Sequence, residues 1–468
     1  MKKNTTKSSP KQTKIARVEP CDDTLSGRGG LALFARYLES IELEGPIAKL
    51  FGGLRKSAKG LGVWKIFLQL FCFFVDGTSR HLVYFDQLKK DPAYAALLET
   101  TPDKLLSSHQ VKRFFRAFNF FKALLFRKLL RQLFLWRLKL EEPSVVVLGL
   151  DTMVLDNDEA GKREGVKPTY KKVKGYQPLQ LTWGRFIVDA LFRSGDKHSN
   201  HGDDAVKMVT TVVKLIRAHY RPDVPILIRM DAGFFDANLF AALEALEVGY
   251  ICGGKLYEDV RSFAESAPAQ GWRGLRNGKV EWEWLEFGDR RGSWKKFRRA
   301  FYCRLAVDGK GQRRFEFARP DSVIYSNLGM GGPVDAIFRA AGEGARLKAK
   351  NIVTEYHHRG ADELCHRSLK DFADEELPFK HFAQNAAWYY TLLTAFFLFE
   401  AFAEDVCESA VPVTAYPTRV RRTVIDIAAK FVRHAGELIL KIARPVWETL
   451  DFGRLWKLAN APPSFAWL

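Results

Sequence analysis

Two short apolar runs, each closed by an aspartate, constrain this chain more than any other feature. Ser144-Val145-Val146-Val147-Leu148-Gly149-Leu150 leads into Asp151, and Pro225-Ile226-Leu227-Ile228-Arg229-Met230 leads into Asp231. Short β-rich apolar stretches of this kind suit strands buried within a sheet, so each predicts a strand that delivers a carboxylate at its end. Leu179–Trp183 and Arg185–Phe192 read as two more strands. Helices are expected from about Asp203 to His219 and from Asp236 to Glu247. Strands alternating with helices in this order predict an α/β core.

Between Gly249 and Arg319 the character changes. Val280-Glu281-Trp282-Glu283-Trp284 alternates with period two, and GDRRGS makes a turn before Lys295–Val307, which predicts an antiparallel β insertion. Asp321–Leu328 reads as a returning core strand and Val334–Lys350 as a helix. Upstream of the core, Gly30–Ile41, Val63–Val75 and a pair within Ser107–Leu140 read as helices. From Lys112 to Lys139 there are nine basic residues and no acidic one. That suits a helix-turn-helix-like DNA reader with Lys112, Arg113 and Arg116 toward phosphate, and equally an amphipathic helix whose cations are simply solvated. Pro417–Arg444 reads as a helix with one apolar and one basic face.

Charge narrows the partner. Lys and Arg total 73 against 54 Asp and Glu, a net charge of +19 and a pI near 9.6. Nucleic acid is the first expectation, with anionic lipid or an unspecialised basic surface as the alternatives. Six scattered cysteines with no CxxC pair indicate neither a disulfide framework nor a zinc module, and fit a reducing cytoplasm. The polar, basic N-terminus lacks the apolar stretch of a secretory signal and reads as a disordered arm. The longest apolar run, Ala386 to Phe399, is too short to cross a bilayer and reads as a buried helix, so no membrane partner is expected.

Carboxylates at strand ends are suited to Mg²⁺, which prefers oxygen ligands. A third acid comes from the segment Asn351–Lys370. At about 100° per residue, Tyr356, Arg359, Glu363 and Lys370 fall within a helical arc of roughly 60°. One face would then present a carboxylate beside two cations and a phenol, as a site handling both metal and DNA phosphate requires, or as a solvated charged face would. The histidines His198, His201, His357 and His358 have no zinc spacing and read as loop or DNA-facing polar residues.

The spacing Tyr356, Arg359, Glu363, Lys370 is similar to the YREK signature of bacterial insertion-sequence DDE transposases. Asp91-Pro92-Ala93, LGLDTMV at Asp151, KGYQPLQ from Lys174, RMDAGFFD at Asp231 and RHAGELILKIAR near the C-terminus resemble one subgroup of that family. The resemblance covers about residues 30 to 445. It implies an RNase H-like core of the retroviral integrase superfamily, interrupted by a β insertion between the second Asp and the Glu. Asp151, Asp231 and Glu363 would be the catalytic, metal-binding triad, holding two Mg²⁺ ions for which Mn²⁺ can substitute. Tyr356, Arg359 and Lys370 would contact DNA at the transposon end. Relatives that cut through a hairpin place a Trp at the start of the last core strand; here that stretch is Asp321-Ser322-Val323-Ile324-Tyr325, and Trp282, Trp284 and Trp294 are the candidates to stack on a base instead, with core packing the favoured reading of each, so the hairpin route stays open. Glu355 and Asp362 are the substitutes for Glu363 if the third acid lies elsewhere, and Asp189 reads as structural.

The expected organisation is a disordered basic arm over residues 1–24, a helical DNA-binding region over 25–140, and an RNase H-like mixed-sheet core over 141–254 and 320–400. A β-rich insertion over 255–319 and a helical C-terminal region over 401–468, with dimerisation as a candidate role, complete it. The expected protein binds terminal inverted repeats in double-stranded DNA and performs metal-dependent strand cleavage and transfer as a homodimer at the bacterial nucleoid, in the cytoplasm. Two other classes stay open: an RNase H-like nuclease that cuts without joining, and a catalytically silent DNA-binding relative.

Overall fold

The computed structural model describes residues 15, 17–54, 60–308, 310, 321–357 and 360–467, with backbone alone at 277 and 360–363. Nine strands form one mixed sheet: β1 (Val146–Thr152), β2 (Leu179–Trp183), β3 (Phe186–Leu191), β4 (Ile226–Met230), β5 (Gly249–Gly253), β6 (Trp272–Asn277), β7 (Val280–Asp289), β8 (Arg298–Val307) and β9 (Asp321–Ser326). They lie side by side in the order β6-β7-β8-β9-β5-β4-β1-β2-β3. β4 is parallel to both β1 and β5, whereas β2 is antiparallel to β1 and β3 to β2. Three parallel strands with an antiparallel pair at one edge make the RNase H-like arrangement. β1, β4 and β5 are buried along nearly their whole length, which is why their sequences run apolar without alternation.

Beyond β5 the sheet continues. β6, β7 and β8 form an antiparallel meander, and β9 returns antiparallel to both β8 and β5. The inserted strands are therefore hydrogen-bonded onto the core sheet rather than set apart from it. Their inward residues Trp284 and Phe301 pack with Ile324, Ile352 and Val353 in a second apolar cluster. The single helix expected over Val334–Lys350 is instead Pro333–Ala340 and Ala349–His357. Gly342, at φ 77°, ends the first, and a 3₁₀ turn at Gly344–Leu347 separates them.

The main core is organised around the helix Phe382–Asp405. It is apolar on all sides, and such a helix must be surrounded by protein or lipid. Among the described residues it alone is long and apolar enough to cross a membrane, and its whole apolar window is buried inside the protein. The helices Leu31–Ser40, Val63–Asp76 and Leu125–Glu141 and strand β3 enclose it. Ring contacts carry the packing: Phe34 on Phe402 at 5.4 Å, Trp388 on Phe74 at 4.9 Å and Phe397 on Phe186 at 4.6 Å. The Gln180 amide donates to the Tyr389 hydroxyl at 2.6 Å, tying β2 to this helix.

Two expectations need correction. Part of the basic stretch Lys112–Lys139 faces inward. Arg127 donates to both oxygens of the fully buried Asp189 at 2.7 and 2.8 Å, Arg131 to one of them at 3.1 Å, and Arg137 pairs with Glu404 and Asp405 at 2.7 Å. These cations pair with the buried Asp189 and the partly buried Glu404 and Asp405 and fix the helix Leu125–Glu141 against the core, so they are not phosphate contacts. Asp189 is structural in this sense. The helix expected over Pro417–Arg444 is also interrupted, because Ala429–His434 and Glu437–Ile442 form a β-hairpin. Ala435 and Gly436 take left-handed φ of 50° and 85°, the conformation of a two-residue turn between antiparallel strands. The hairpin pairs with Thr24–Ser26, joining the two ends of the chain in a three-stranded sheet. Of the arm expected over 1–24, residues 1–14 and 16 lie outside the described residues, and Thr24 already belongs to that strand.

Candidate active site

The parallel register places the two aspartates. Val146 to Leu150 of β1 pair in order with Ile226 to Met230 of β4, so Leu150 faces Met230 and the next residue on each strand is an aspartate. Each carboxylate is steadied by a nearby backbone amide. The Thr152 N–H donates to Asp151 Oδ1 at 2.7 Å, and the Gly233 N–H donates to Asp231 Oδ1 at 2.9 Å, where Asp231 caps the turn Ala232–Phe234. The Tyr170 phenol is pushed above its ordinary pKa by partial burial and then by the negative field of Asp151 and Asp231.

Tyr356 approaches from the helix Ala349–His357. Its hydroxyl lies 2.7 Å from where a Cβ on Gly253 would stand, and that Cβ would also be 3.0 Å from the Ala232 nitrogen. Only glycine fits there, and its absence of a side chain lets Tyr356 lie over the end of β5 beside Asp231. Glu363 belongs by its backbone to the helix Gly360–Phe372, but its side chain lies outside the described residues, as do residue Arg359 and the Asp362 side chain. The common face expected for Tyr356, Arg359, Glu363 and Lys370 therefore rests partly on residues outside the description. Tyr356 lies in the helical span Ala349–His357 and Lys370 in the helical span Gly360–Phe372, with residues 358 and 359 between them outside the described residues. Lys370 lies 2.7 Å from Glu375. Glu355 is held by Arg229 at 2.9 Å and Arg346 at 3.4 Å, which commits it to ion pairs.

Sequence reasoning missed His366. Its Nδ1 lies 3.6 Å from Asp151 Oδ2, and burial, followed by the charges of Lys370 and Lys171, lowers its pKa to about 4. It is therefore a neutral imidazole at pH 7. The signal was available: three residues after Glu363 and four before Lys370, it lies on the same helical face as both.

Farther away, Lys112, Arg113 and Arg116 are all exposed, on and just after the helix Ser108–Phe115, whose Val111, Phe114 and Phe115 are buried. A capping box of Ser107 and Gln110 fixes the start of that helix. Of the three tryptophans considered for base stacking, Trp284 and Trp294 are buried. Trp282 stacks on His357 at 4.0 Å with an interplanar angle of 19°, next to Tyr356.

Asp151 and Asp231 offer hard oxygen donors at neighbouring strand ends, a donor set that fits a divalent cation of the Mg²⁺ type. Among the described residues no three His, Cys, Asp or Glu side chains converge as a metal group. The third acid expected there, Glu363, is one whose side chain lies outside them.

A family model for transposase DDE domains of group 1 matches residues 9–460. No curated protein matches the chain. Among solved structures, the cryo-EM structure of the piggyBac transposase synaptic complex with hairpin DNA is 12% identical, with 84% of this chain and 78% of that chain covered and a TM-score of 0.41.

Proposed function

Because this chain belongs to the family of group 1 transposase DDE domains and is a DNA transposase, we propose that Asp151, Asp231 and Glu363 are its catalytic, metal-holding triad. What carries this reading is the register of β1 and β4, which sets Asp151 and Asp231 side by side at the ends of parallel strands. DDE transposases use divalent metal ions; we take them here to be two Mg²⁺, with Mn²⁺ able to substitute. When bound, such ions activate a water or a 3′-hydroxyl and stabilise the leaving oxygen of an in-line phosphodiester displacement.

The chain's own residues supply position. The amides of Thr152 and Gly233 each hold one oxygen of Asp151 and Asp231, so both carboxylates are oriented by the backbone. Gly253 gives Tyr356 room over the site. Tyr356, Arg359 and Lys370 grip phosphates of the transposon end, and Lys112, Arg113 and Arg116 grip the duplex farther along. Water breaks the phosphodiester bond at the end of the element and frees a 3′-hydroxyl. That hydroxyl then attacks a phosphodiester of target DNA, releasing a target 3′-hydroxyl, so bonds broken and formed balance. Two copies each holding one terminal inverted repeat give the working assembly, acting at the bacterial nucleoid. Trp282, beside Tyr356, is the tryptophan suited to stacking on an unpaired base.

The experiment is a cleavage and strand-transfer assay on labelled DNA carrying the element's own flanking repeats, with Mg²⁺ or Mn²⁺. Cleavage at the ends and joined products, both lost on Asp231→Ala, support the reading. Metal-dependent degradation that ignores the repeats favours a nuclease, and binding without any metal-dependent product favours a silent DNA-binding protein.

A further inference from the structure

Three consecutive acids hold three cations next to the site, with Arg80 shared between Asp374 and Glu376, whose Oε2 lies 3.6 Å from Arg80 Nη2. Glu375 Oε1 lies 2.7 Å from Lys370 Nζ. Asp374 accepts from Arg80 Nη1 with both oxygens, at 2.9 and 3.0 Å, and Glu376 Oε1 lies 3.0 Å from Arg163 Nη2. Arg80, Lys370 and the three acids line one open cavity of about 570 Å³ between the segment Gly77–His81 and the end of the helix Gly360–Phe372. Lys370 comes one helical turn after His366, which stands 3.6 Å from Asp151, so the cavity adjoins the proposed catalytic centre. The side chains of Arg80, Lys370 and Glu375 are 45%, 36% and 26% exposed, within reach of a polymer.

We propose that Arg80 and Arg163 continue, beyond Lys370, a track for the sugar-phosphate backbone of the transposon end. Asp374, Glu375 and Glu376 occupy those cations in the DNA-free protein as stand-ins for phosphates. Partly exposed ion pairs are weak and readily exchanged. A phosphate diester can therefore replace a carboxylate, anion for anion, and the duplex brings many of them at fixed spacing. The acidic turn thus sets a threshold: stray DNA must displace three carboxylates, while an end also held elsewhere on the protein does so readily. The turn does not depend on its charges for its shape. Asn157 donates to the Glu375 carbonyl at 3.0 Å and accepts from the Leu377 N–H at 2.9 Å, and Glu375 Oε2 accepts from the Asp156 N–H. Glu375→Gln keeps an oxygen for that last bond and removes only the charge.

The inference rests on the reading of Lys370 as a DNA contact, and the test separates the two. Affinity for a fluorescent duplex of unrelated sequence is measured for the full chain, Glu375→Gln, Lys370→Ala and the double variant. Glu375→Gln is expected to tighten binding about two- to fivefold, and the gain to vanish when Lys370 is alanine. A gain that persists undiminished in the Lys370→Ala background, or no gain at all, overturns the proposal. If Lys370→Ala alone leaves binding unchanged, the reading of Lys370 fails. The cycle of Asp374→Asn with Arg80→Ala then judges the track by the same criterion, and does so too if Glu375→Gln fails to fold.

Discussion

Leu150 and Met230 are register partners across two parallel strands, and each is followed by an aspartate. Side chains alternate along a strand, so slipping either strand by one residue would turn one carboxylate to the opposite face. The pairing of the acids is therefore fixed by the same hydrogen bonds and apolar burial that hold the core. The proposed chemistry inherits the rigidity of the sheet rather than depending on a loop.

Gly253→Ala tests how tightly Tyr356 and Asp231 are packed. The new methyl group would meet the Tyr356 hydroxyl at 2.7 Å and the Ala232 nitrogen at 3.0 Å. The backbone cannot yield cheaply, so the turn after Asp231 shifts. Strand cleavage should fall by about ten- to a hundredfold, while stability falls by only about 1–3 kcal/mol. Single-turnover cleavage alongside thermal unfolding checks this, and unchanged cleavage would show that Tyr356 has slack.

Asp189 should matter for folding and not for chemistry. Asp189→Ala leaves Arg127 and Arg131 facing a buried gap with no counter-charge. Losing one partner of a buried ion pair costs about 3–5 kcal/mol. Thermal unfolding should show a drop of that size or a failure to accumulate folded protein. A normal melting temperature would mean that the arginines find other partners.

Glu400 gives stability a pH dependence of known sign. It is 1% exposed, in contact with Ser368 at 3.0 Å and Arg185 at 2.7 Å, and burial raises its pKa to about 7. The folded state then binds more protons than the unfolded state between the ordinary carboxylate range and pH 7. The stabilisation is complete below that range and is lost as pH rises through about 7, by an amount on the order of 3 kcal/mol. Glu400→Gln lacks this dependence. Its melting temperature relative to the parent protein should be higher at pH 8 than at pH 5, whatever the constant offset from the altered Arg185 pair. A difference that does not change with pH contradicts the assignment.

Lys112, Arg113 and Arg116 should behave as phosphate contacts. Replacing any one with alanine should weaken binding similarly on cognate and unrelated duplexes and lower the slope of log affinity against log salt by about 1. Fluorescence anisotropy over a salt series reads both quantities. Weakening confined to one sequence would make the residue a base reader, and no change would return this helix to a solvated surface.

Much of this architecture can be read from the sequence, where local pattern and burial agree. β4 runs apolar because it is buried in a parallel sheet, and Asp236 caps its helix through the Leu239 N–H as its position suggests. Legibility fails where two periodicities fit one stretch. Ala429–Ile442 has apolar residues at spacings that suit a helical stripe as well as a strand, and only the turn at Ala435-Gly436 separates the readings. It fails again where charge is taken for exposure. Arg127, Arg131 and Arg137 resemble Lys112 and Arg113 in sequence, yet they point inward because their acidic partners lie on β3 and the helix Phe382–Asp405. His366 has no zinc spacing, and its partner is a carboxylate on a strand distant in sequence, so only the fold brings the two together.

End cleavage by the purified full chain on DNA bearing its own flanking repeats, measured for the parent protein, Asp151→Asn and Asp231→Asn, decides whether the paired aspartates carry the chemistry. Both variants keep the backbone hydrogen bond to the side-chain oxygen and lose the charge. Both are expected to bind the ends with near-parental affinity and to lose metal-dependent cleavage by roughly three orders of magnitude or more. A variant that still cleaves at a comparable rate would contradict the assignment of these paired aspartates as the catalytic carboxylates.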